Sequence, residues 1–335
     1  MIVSFLICPN GNGHLFRTID LISSFLKKKK IFKINIFCSK AHSIKLINCN
    51  LSLKKIKIFP IVPNYDLRKN TYKYLIDLYN LKINQKIINL TDVFISDNLI
   101  NRFLPTEKLL IHSNFFWSDV FTSKKFLTEY KNLENFFLSQ KGHILISNRY
   151  FGTNKKNIKI KKIEIGFTGS NNIKKNKILT KYKNKKVLVY FSGSDLIPYY
   201  LINKLIKRGY KLYSDNINLL RDNRILKFDR QKIDMESFSY LITKPGLGSI
   251  KDSIKFKILP IFYFNKSNFE YVENYKKLEF LKIFFKDNHF NEQKIFKSIN
   301  SINYLIYKKT INKFSKFKFD GDRIFLKLLK NYEKR

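Results

Sequence analysis

The chain has 335 residues, 44% of them hydrophobic, which is enough for two domains with separate cores. Its 65 Lys and Arg residues against 25 Asp and Glu residues give a formal net charge of +40, which favours anionic partners. The basic residues are spread along the whole chain without any zinc-knuckle, helix-turn-helix or RNA-recognition motif, so no nucleic-acid partner is expected. Three cysteines are too few for a disulfide framework.

Short apolar runs alternate with longer amphipathic segments in the first half of the chain. The apolar runs predict strands at 2–8, 32–38, 56–59, 93–96, 109–112 and 144–147. The amphipathic segments predict helices, among them 15–26, 72–89 and 120–139. This alternation is typical of a parallel sheet with helices on both faces.

A second alternating set follows residues 154–186, a stretch rich in Lys and Asn that is predicted to be a linker. Its strands are predicted at 187–191, 210–214, 225–228, 240–243, 258–263 and 283–285, with a last amphipathic helix at 324–332. We therefore predict an α/β fold of two doubly wound Rossmann-like domains facing a cleft. The domains are expected at 1–165 and 166–320, and a C-terminal helix at 321–335 is left free to return to the first domain.

A glycine-rich turn, "PNGNGH", follows the first predicted strand. Ligands bind beyond the carboxyl ends of strands in doubly wound sheets, and a helix that begins there offers unpaired N–H groups. His14 is therefore a candidate catalytic residue, and Gly11, Asn12 and Gly13 are candidate substrate-binding residues. The alternative is that His14 merely begins a helix.

Two further turns occupy similar places in the second half. "TKPGLGSIKD" (243–252) follows a predicted strand and begins a helix, with a spacing that is not the Walker pattern. The glycines and the Ser249 hydroxyl of this turn suit the binding of a diphosphate. Asp252, one turn into the helix, suits the binding of a ribose hydroxyl. The other turn, "FSGSD", contributes Gly193 and Ser194. The candidate diphosphate-binding residues of the longer turn are Lys244, Gly246, Leu247, Gly248 and Ser249.

These three turns, in this order and at strand ends, resemble those of GT-B glycosyltransferases. The resemblance is closest to the family 28 group that transfers N-acetylglucosamine to a lipid-linked peptidoglycan precursor, and to its relatives that use UDP-sugars. It implies that Asp252 stands in for the family's ribose-binding glutamate. It also implies that Asn274, with Glu270 or Tyr271 in place of the family's glutamine, contacts the donor sugar.

The resemblance implies a hexosyl or N-acetylhexosaminyl transferase. The donor is expected to be a nucleotide sugar, UDP-linked, and the acceptor an envelope polysaccharide or glycolipid. An inverting transfer needs a base, and histidine titrates near neutral pH, so His14 is expected to be the base. Asp97, at the end of a predicted strand, is expected to orient His14 or the acceptor; the alternative is a helix N-cap before 98–103.

The departing diphosphate is expected to be stabilised by N–H donors of the second glycine turn, so no metal ion and no cofactor is expected. Lys244 and Arg17 are candidate counter-charges, with solvated surface side chains as the alternative. "DGD" at 320–322 mimics a metal-binding motif, but its place before the last helix favours a cap role for Asp322.

"GNGHLFR" followed by "SGSD" also resembles the UDP-sugar hydrolases of nonulosonic acid biosynthesis, in which the same histidine activates water. Hydrolysis is therefore the alternative function. The first apolar run lacks a basic leader and the length of a signal-peptide core, so a cytoplasmic protein is expected. The basic excess leaves open a peripheral contact with the anionic inner face of the membrane.

Overall fold

The computed structural model describes residues 1–28, 31, 33–49, 53–64, 71–119, 124–140, 142–152, 160–169, 178–191, 197–229, 232–265, 268–280 and 291–332. The chain divides into two compact units. One unit consists of Met1–Ser170 together with Phe319–Arg335, and the other of Asn171–Lys318. The chain therefore leaves the first unit and returns to it at its end.

Seven strands form the parallel sheet of the first unit. They are β1 (Ile2–Ile7), β2 (Lys33–Ser39), β3 (Ile56–Val62), β4 (Val93–Asp97), β5 (Leu109–His112), β6 (Ile144–Asn148) and β7 (Lys161–Ile165). Their order across the sheet is β3-β2-β1-β4-β5-β6-β7, and every neighbouring pair is parallel.

Helices cover both faces of this sheet. They are α1 (Asn12–Leu26), α2 (Lys40–Ile47), α3 (Thr71–Tyr79), α4 (Gln85–Leu90), α5 (Lys124–Leu138) and, from the end of the chain, α12 (Gly321–Lys330). Apolar side chains of α1 and α12 pack with Phe5 and its face of the sheet. Apolar side chains of α3, α4 and α5 pack with Phe94 and the opposite face. Because successive strand side chains point to opposite faces, fully apolar strands supply both cores.

The second unit repeats this architecture on a smaller sheet. Its strands are β8 (Lys186–Tyr190), β9 (Lys211–Ser214), β10 (Ile225–Lys227), β11 (Tyr240–Thr243) and β12 (Leu259–Phe262), in the order β10-β9-β8-β11-β12. All of these pairs are parallel. Its helices are α6 (Ile178–Asn184), α7 (Tyr199–Lys207), α8 (Leu247–Phe256), α9 (Phe269–Phe280), α10 (Glu292–Ser301) and α11 (Tyr304–Lys313).

Short 3-10 turns connect some of these elements. They lie at Leu53–Lys55, Trp117–Asp119, Leu219–Arg221, Met235–Ser237 and Phe314–Lys316. Among the described residues, no helix combines the length and the apolar character needed to cross a membrane.

Two predicted segments differ from the structure. Residues 72–89 form two helices rather than one, because the side chain of Asn84 accepts a hydrogen bond from Lys86 N at 3.0 Å and begins α4. The predicted linker 154–186 contains β7 and α6. The predicted strand 283–285 and helix residues 120–123 lie outside the described residues.

The two aspartates of "DGD" anchor α12 to the first unit. Asp320 accepts a hydrogen bond from Gly166 N at 2.7 Å, and Asp322 accepts one from Gly169 N at 3.1 Å and one from Ser24 Oγ at 2.5 Å. A Cβ at Gly321 would lie 2.9 Å from the carbonyl oxygen of Phe167, so only glycine fits at this junction.

Candidate functional site

The strand order of the first sheet reverses between β1 and β4, because the chain proceeds from β1 to β2 on one side and β4 lies on the other. The register aligns Ile7 with Asp97, and Asp97 with His112, so three strands end at the same level. Crevices at such a switch point are the usual ligand sites of doubly wound sheets. The turn after β1 leads directly from this edge into α1.

The turn after β1 brings His14 to this edge. Gly11 precedes α1 with φ 78°, a backbone angle that glycine adopts at little cost. Apart from adjoining residues of the chain, no atom of the described residues lies within 4 Å of the position that a Cβ would take at Gly11 or at Gly13, so the backbone of the turn can be approached closely. His14 lies in the first turn of α1 with 12% of its side chain exposed.

His14, Arg17 and Asp97 form a cluster at this edge. The Nδ1 atom of His14 lies 3.2 Å from Oδ2 of Asp97, and Arg17 contacts the other carboxylate oxygen, Oδ1. Arg17 Nη2 also lies 3.2 Å from His14 Nδ1. Arg17 is three residues after His14, so both side chains lie on one face of α1. Arg17 is thus ion-paired and only 13% exposed rather than a solvated surface cation.

Asp97 is the buried centre of the cluster, with 2% of its side chain exposed. Burial alone raises the pKa of a carboxyl group, but the charges of Arg17 and His14 outweigh it and hold the pKa of Asp97 well below its usual range. Asp97 therefore remains ionised. The alternative of a helix N-cap is wrong, because no helix forms at 98–103 and Asn98 turns the chain with φ 58°.

Two more histidines lie beside the cluster. Burial lowers the pKa of His112 well below its usual value, and the charge of Arg17 adds to this; its ring packs edge-on against Phe325 at 5.1 Å. Burial also lowers the pKa of His42 to about 4, with the charge of His14 as a second cause. The backbone of Gly11 favours the charged form of His42 and partly opposes this shift. Lys45 on α2 donates to Asn12 Oδ1 at 2.7 Å, so helix α2 contacts the glycine turn.

The second sheet has its switch point between β8 and β11. The turn after β11 leads into α8, whose N-cap residue Gly246 makes no side-chain capping bond. The first N–H groups of α8 are therefore directed at whatever lies beyond this edge. The Ser249 hydroxyl lies 3.0 Å from that of Thr243, and Thr243 donates to the Tyr190 carbonyl at 2.8 Å. These contacts join the first turn of α8 to β8 and β11.

Helix α9 packs on this turn. Asn274 Nδ2 donates to the Pro245 carbonyl at 3.0 Å, and Asn274 is 6% exposed. Lys244 Nζ lies 5.6 Å from the centre of the Tyr271 ring. Burial lowers the pKa of Lys244, while the charge of Glu270 opposes that shift. Lys244, Glu270 and Asn274 thus lie around one turn.

The remaining predicted residues come from the second half of the chain. Leu247, Gly248 and Ser249 lie in the first turn of α8, and Asp252 is half-buried further along it. Gly193 and Ser194 lie outside the described residues. The ion pair of Arg17 and the contact of Lys45 with the glycine turn did not follow from the sequence reasoning. For the ion pair, the one available sequence signal was the three-residue spacing of His14 and Arg17. Within the described part of the chain, no group of three His, Cys, Asp or Glu side chains is arranged to hold a metal ion.

Comparison with known proteins identifies structures of similar fold. No protein-family model matches the sequence, and no curated protein matches it. Three solved structures illustrate the structural likeness.

A UDP-glucosyltransferase from Polygonum tinctorium capable of glucosylating indoxyl matches with a TM-score of 0.66 at 12% identity, over 100% of this chain and 99% of that one. The spinosyn rhamnosyltransferase SpnG matches with 0.65 at 10% identity, over 100% of both chains. Arabidopsis thaliana UGT89C1 in complex with UDP-L-rhamnose matches with 0.60 at 12% identity, over 94% of each chain. The predicted fold class is confirmed: two parallel sheets with helices in the α/β architecture of GT-B glycosyltransferases.

Proposed function

We propose that this protein is a glycosyltransferase that moves a sugar from a nucleotide sugar, UDP-linked, to a hydroxyl acceptor. The observation that carries the proposal is the cluster of His14, Asp97 and Arg17 at the switch point of the first sheet. The fold supports it, because the similar structures include enzymes named for UDP-sugars and one bound to UDP-L-rhamnose.

In this proposal His14 is the catalytic base of an inverting transfer. Asp97 is ionised and lies beside Nδ1 of His14, so the proton of a neutral imidazole is attracted to Nδ1 and the lone pair of Nε2 is left for the acceptor. The acceptor oxygen attacks the anomeric carbon of the sugar while its proton passes to Nε2, and the bond between the sugar and the diphosphate breaks, so that UDP leaves. The ionised Asp97 stabilises the imidazolium that results.

The second unit is proposed to hold the nucleotide sugar, and the first unit, with Gly11, Asn12 and Gly13, the acceptor. The N–H groups at the start of α8, which receive no side-chain cap, suit a diphosphate whose charge grows as its bond to the sugar breaks. Lys244 adds a positive charge beside the same turn. The donor-sugar role of Glu270 and Asn274 stays a proposal, and Asn274 already donates its amide to the turn.

The acceptor is proposed to be an envelope polysaccharide or glycolipid, reached by a peripheral contact with an anionic membrane. The net charge of +40 supports such a contact. Sedimentation with liposomes of increasing anionic-lipid content tests it: binding that does not depend on anionic lipid contradicts the membrane part of the proposal and leaves the transferase part standing.

The decisive experiment is a turnover assay with purified protein, UDP-glucose, UDP-N-acetylglucosamine and UDP-rhamnose, each with and without glycan, glycolipid and phenolic acceptors. Acceptor-dependent release of UDP, with a glycosylated product seen by mass spectrometry, is expected. Release of free sugar at the same rate without acceptor would identify the hydrolase instead. A protein that binds UDP but turns over no donor contradicts both.

A further inference from the structure

Arg17 occupies an unusual place for a cation in a cluster that is proposed to accept a proton. Its side chain is 13% exposed, it contacts Oδ1 of Asp97, and its Nη2 lies 3.2 Å from Nδ1 of the proposed base. Its Nε is buried without a hydrogen-bond partner. An arginine buried to this extent is held there by the carboxylate, since solvation would otherwise draw it to the surface.

The two oxygens of Asp97 are shared between two partners. Arg17 takes Oδ1, and His14 takes Oδ2. Because Nδ1 lies near both Asp97 and Arg17, it can donate to the carboxylate or accept from the guanidinium, but not both. Donation to Asp97 leaves Nε2 free as a base, whereas acceptance from Arg17 puts the proton on Nε2 and removes the base.

We propose that Arg17 is a positioning residue for His14: it binds one oxygen of Asp97 and leaves the other to fix the imidazole proton on Nδ1. The inference rests on the proposed function, since it concerns the same base. The contact of Arg17 with Oδ1 holds the carboxylate in the orientation from which Oδ2 accepts the Nδ1 proton. Without this contact Asp97 is free to turn away from Nδ1, and the ring can then carry its proton on Nε2, where it blocks the base.

Other groups around the cluster are accounted for. The charged and titratable side chains that face His14 or its neighbours are His42 and Lys45 on α2, Asp97 at the end of β4, and His112 at the end of β5. Burial disfavours protonation of both neighbouring histidines, so neither carries the charge that Arg17 supplies. Arg17 is therefore the cation that holds Asp97 in this cluster.

The test compares Arg17→Gln, Arg17→Lys and wild type, with Arg323→Gln, an exposed arginine on α12, as the matched control. In Arg17→Gln kcat is expected to fall about tenfold, because part of the His14 rings then carry their proton on Nε2. The acceptor KM and the Kd for UDP are expected to change less than twofold. Arg17→Lys restores most of kcat, and Arg323→Gln leaves it unchanged.

Nitrogen-15 NMR of the histidine rings gives a readout that needs no turnover. The His14 signal, assigned from its absence in His14→Ala, is expected to show the proton on Nδ1 in the wild type. In Arg17→Gln a larger share of the rings is expected to carry the proton on Nε2. An Arg17→Gln protein with the wild-type proton position and kcat, and only a lower melting temperature, overturns the proposal. A wild type without turnover instead contradicts the proposed function and leaves the NMR comparison decisive for Arg17.

Discussion

The carboxyl edges of the two sheets have the same topology and opposite chemistry. At the edge of the first sheet, a buried carboxylate, a guanidinium and an imidazole lie within hydrogen-bond reach of one another. At the edge of the second, the main features are backbone N–H groups and hydroxyls at the start of α8. One edge is suited to moving a proton and the other to holding an anion, so repetition of one fold separates the two tasks.

The largest effect is expected from a substitution that removes the proposed base at the first edge and leaves the second edge intact. His14→Ala should lower turnover by ~10²–10⁴-fold, the range for loss of a general base. UDP affinity, measured by calorimetry, should be unchanged because UDP is proposed to bind at the second edge. His143→Gln is the matched control, since His143 precedes β6 at the opposite end of the sheet. Equal losses of turnover and of UDP affinity in His14→Ala would contradict the division of tasks.

The second largest effect is expected on stability, which a fall in pH should lower through His42 of the first unit. The pKa of His42 falls from 6.5 to about 4 on folding because of burial, so the unfolded chain binds the extra proton first. His42 therefore contributes no penalty above pH 6.5, and stability falls as the pH drops through the window from 6.5 to about 4, by about 3 kcal/mol at most.

Urea unfolding between pH 7.5 and 5 measures this loss, above the range in which most carboxylates titrate. His42→Gln should flatten the pH dependence of the free energy of unfolding by close to one proton. The buried His112 should retain a similar dependence of the same sign. An unchanged slope in His42→Gln would show that His42 is not held neutral.

A smaller effect is expected at the support of the second edge. Asn274→Ala leaves the Pro245 carbonyl without the amide that it accepts from, and should lower the free energy of unfolding by about 1–3 kcal/mol. Lys276→Ala on the same helix is the control, since its ion pair with Glu273 is exposed and contributes little. Equal stability of the two variants, measured by urea unfolding, would mean that Asn274 does not hold the turn.

The smallest effects are expected from substitutions of single glycines, one at each edge. Among the described residues beyond its chain neighbours, a Cβ at Gly246 would meet Tyr271 alone, at 3.9 Å, so Gly246→Ala should fold normally. It should weaken UDP binding about tenfold if the diphosphate approaches the backbone there, the loss of about one charge-assisted hydrogen bond. Gly13→Ala should raise the acceptor KM and leave UDP affinity unchanged. Calorimetry that shows the reverse assignment would exchange the roles of the two edges.

The sequence predicts the sheet cores well because buried parallel strands are continuous apolar runs. The segments at 109–112 and 240–243 coincide with β5 and β11 to the residue. Strand β7 does not follow from the pattern, because its side chains include Lys161, Lys162 and Glu164. Edge strands commonly carry such charges, so a charged strand between Lys-rich segments has the composition of a linker.

The cluster at the first edge is only partly predictable. The turn after β1 and the strand end at Asp97 indicate His14 and Asp97. The contact between them depends on strand order, which places β4 next to β1 although about 85 residues separate them. The burial of Arg17 depends on that same contact. Spacing on a helix shows that two side chains share a face but not that a third group is present to receive them.

The return of α12 to the first unit has a consequence for synthesis on the ribosome. Phe325 and Leu329 fill an apolar face whose other walls, among them Phe5 and Leu15, emerge far earlier. At ~5–20 residues per second, translation of the intervening 171–318 takes about 7–30 s. During that interval this apolar surface is exposed to solvent. A chaperone that binds it would prevent aggregation of the nascent chains.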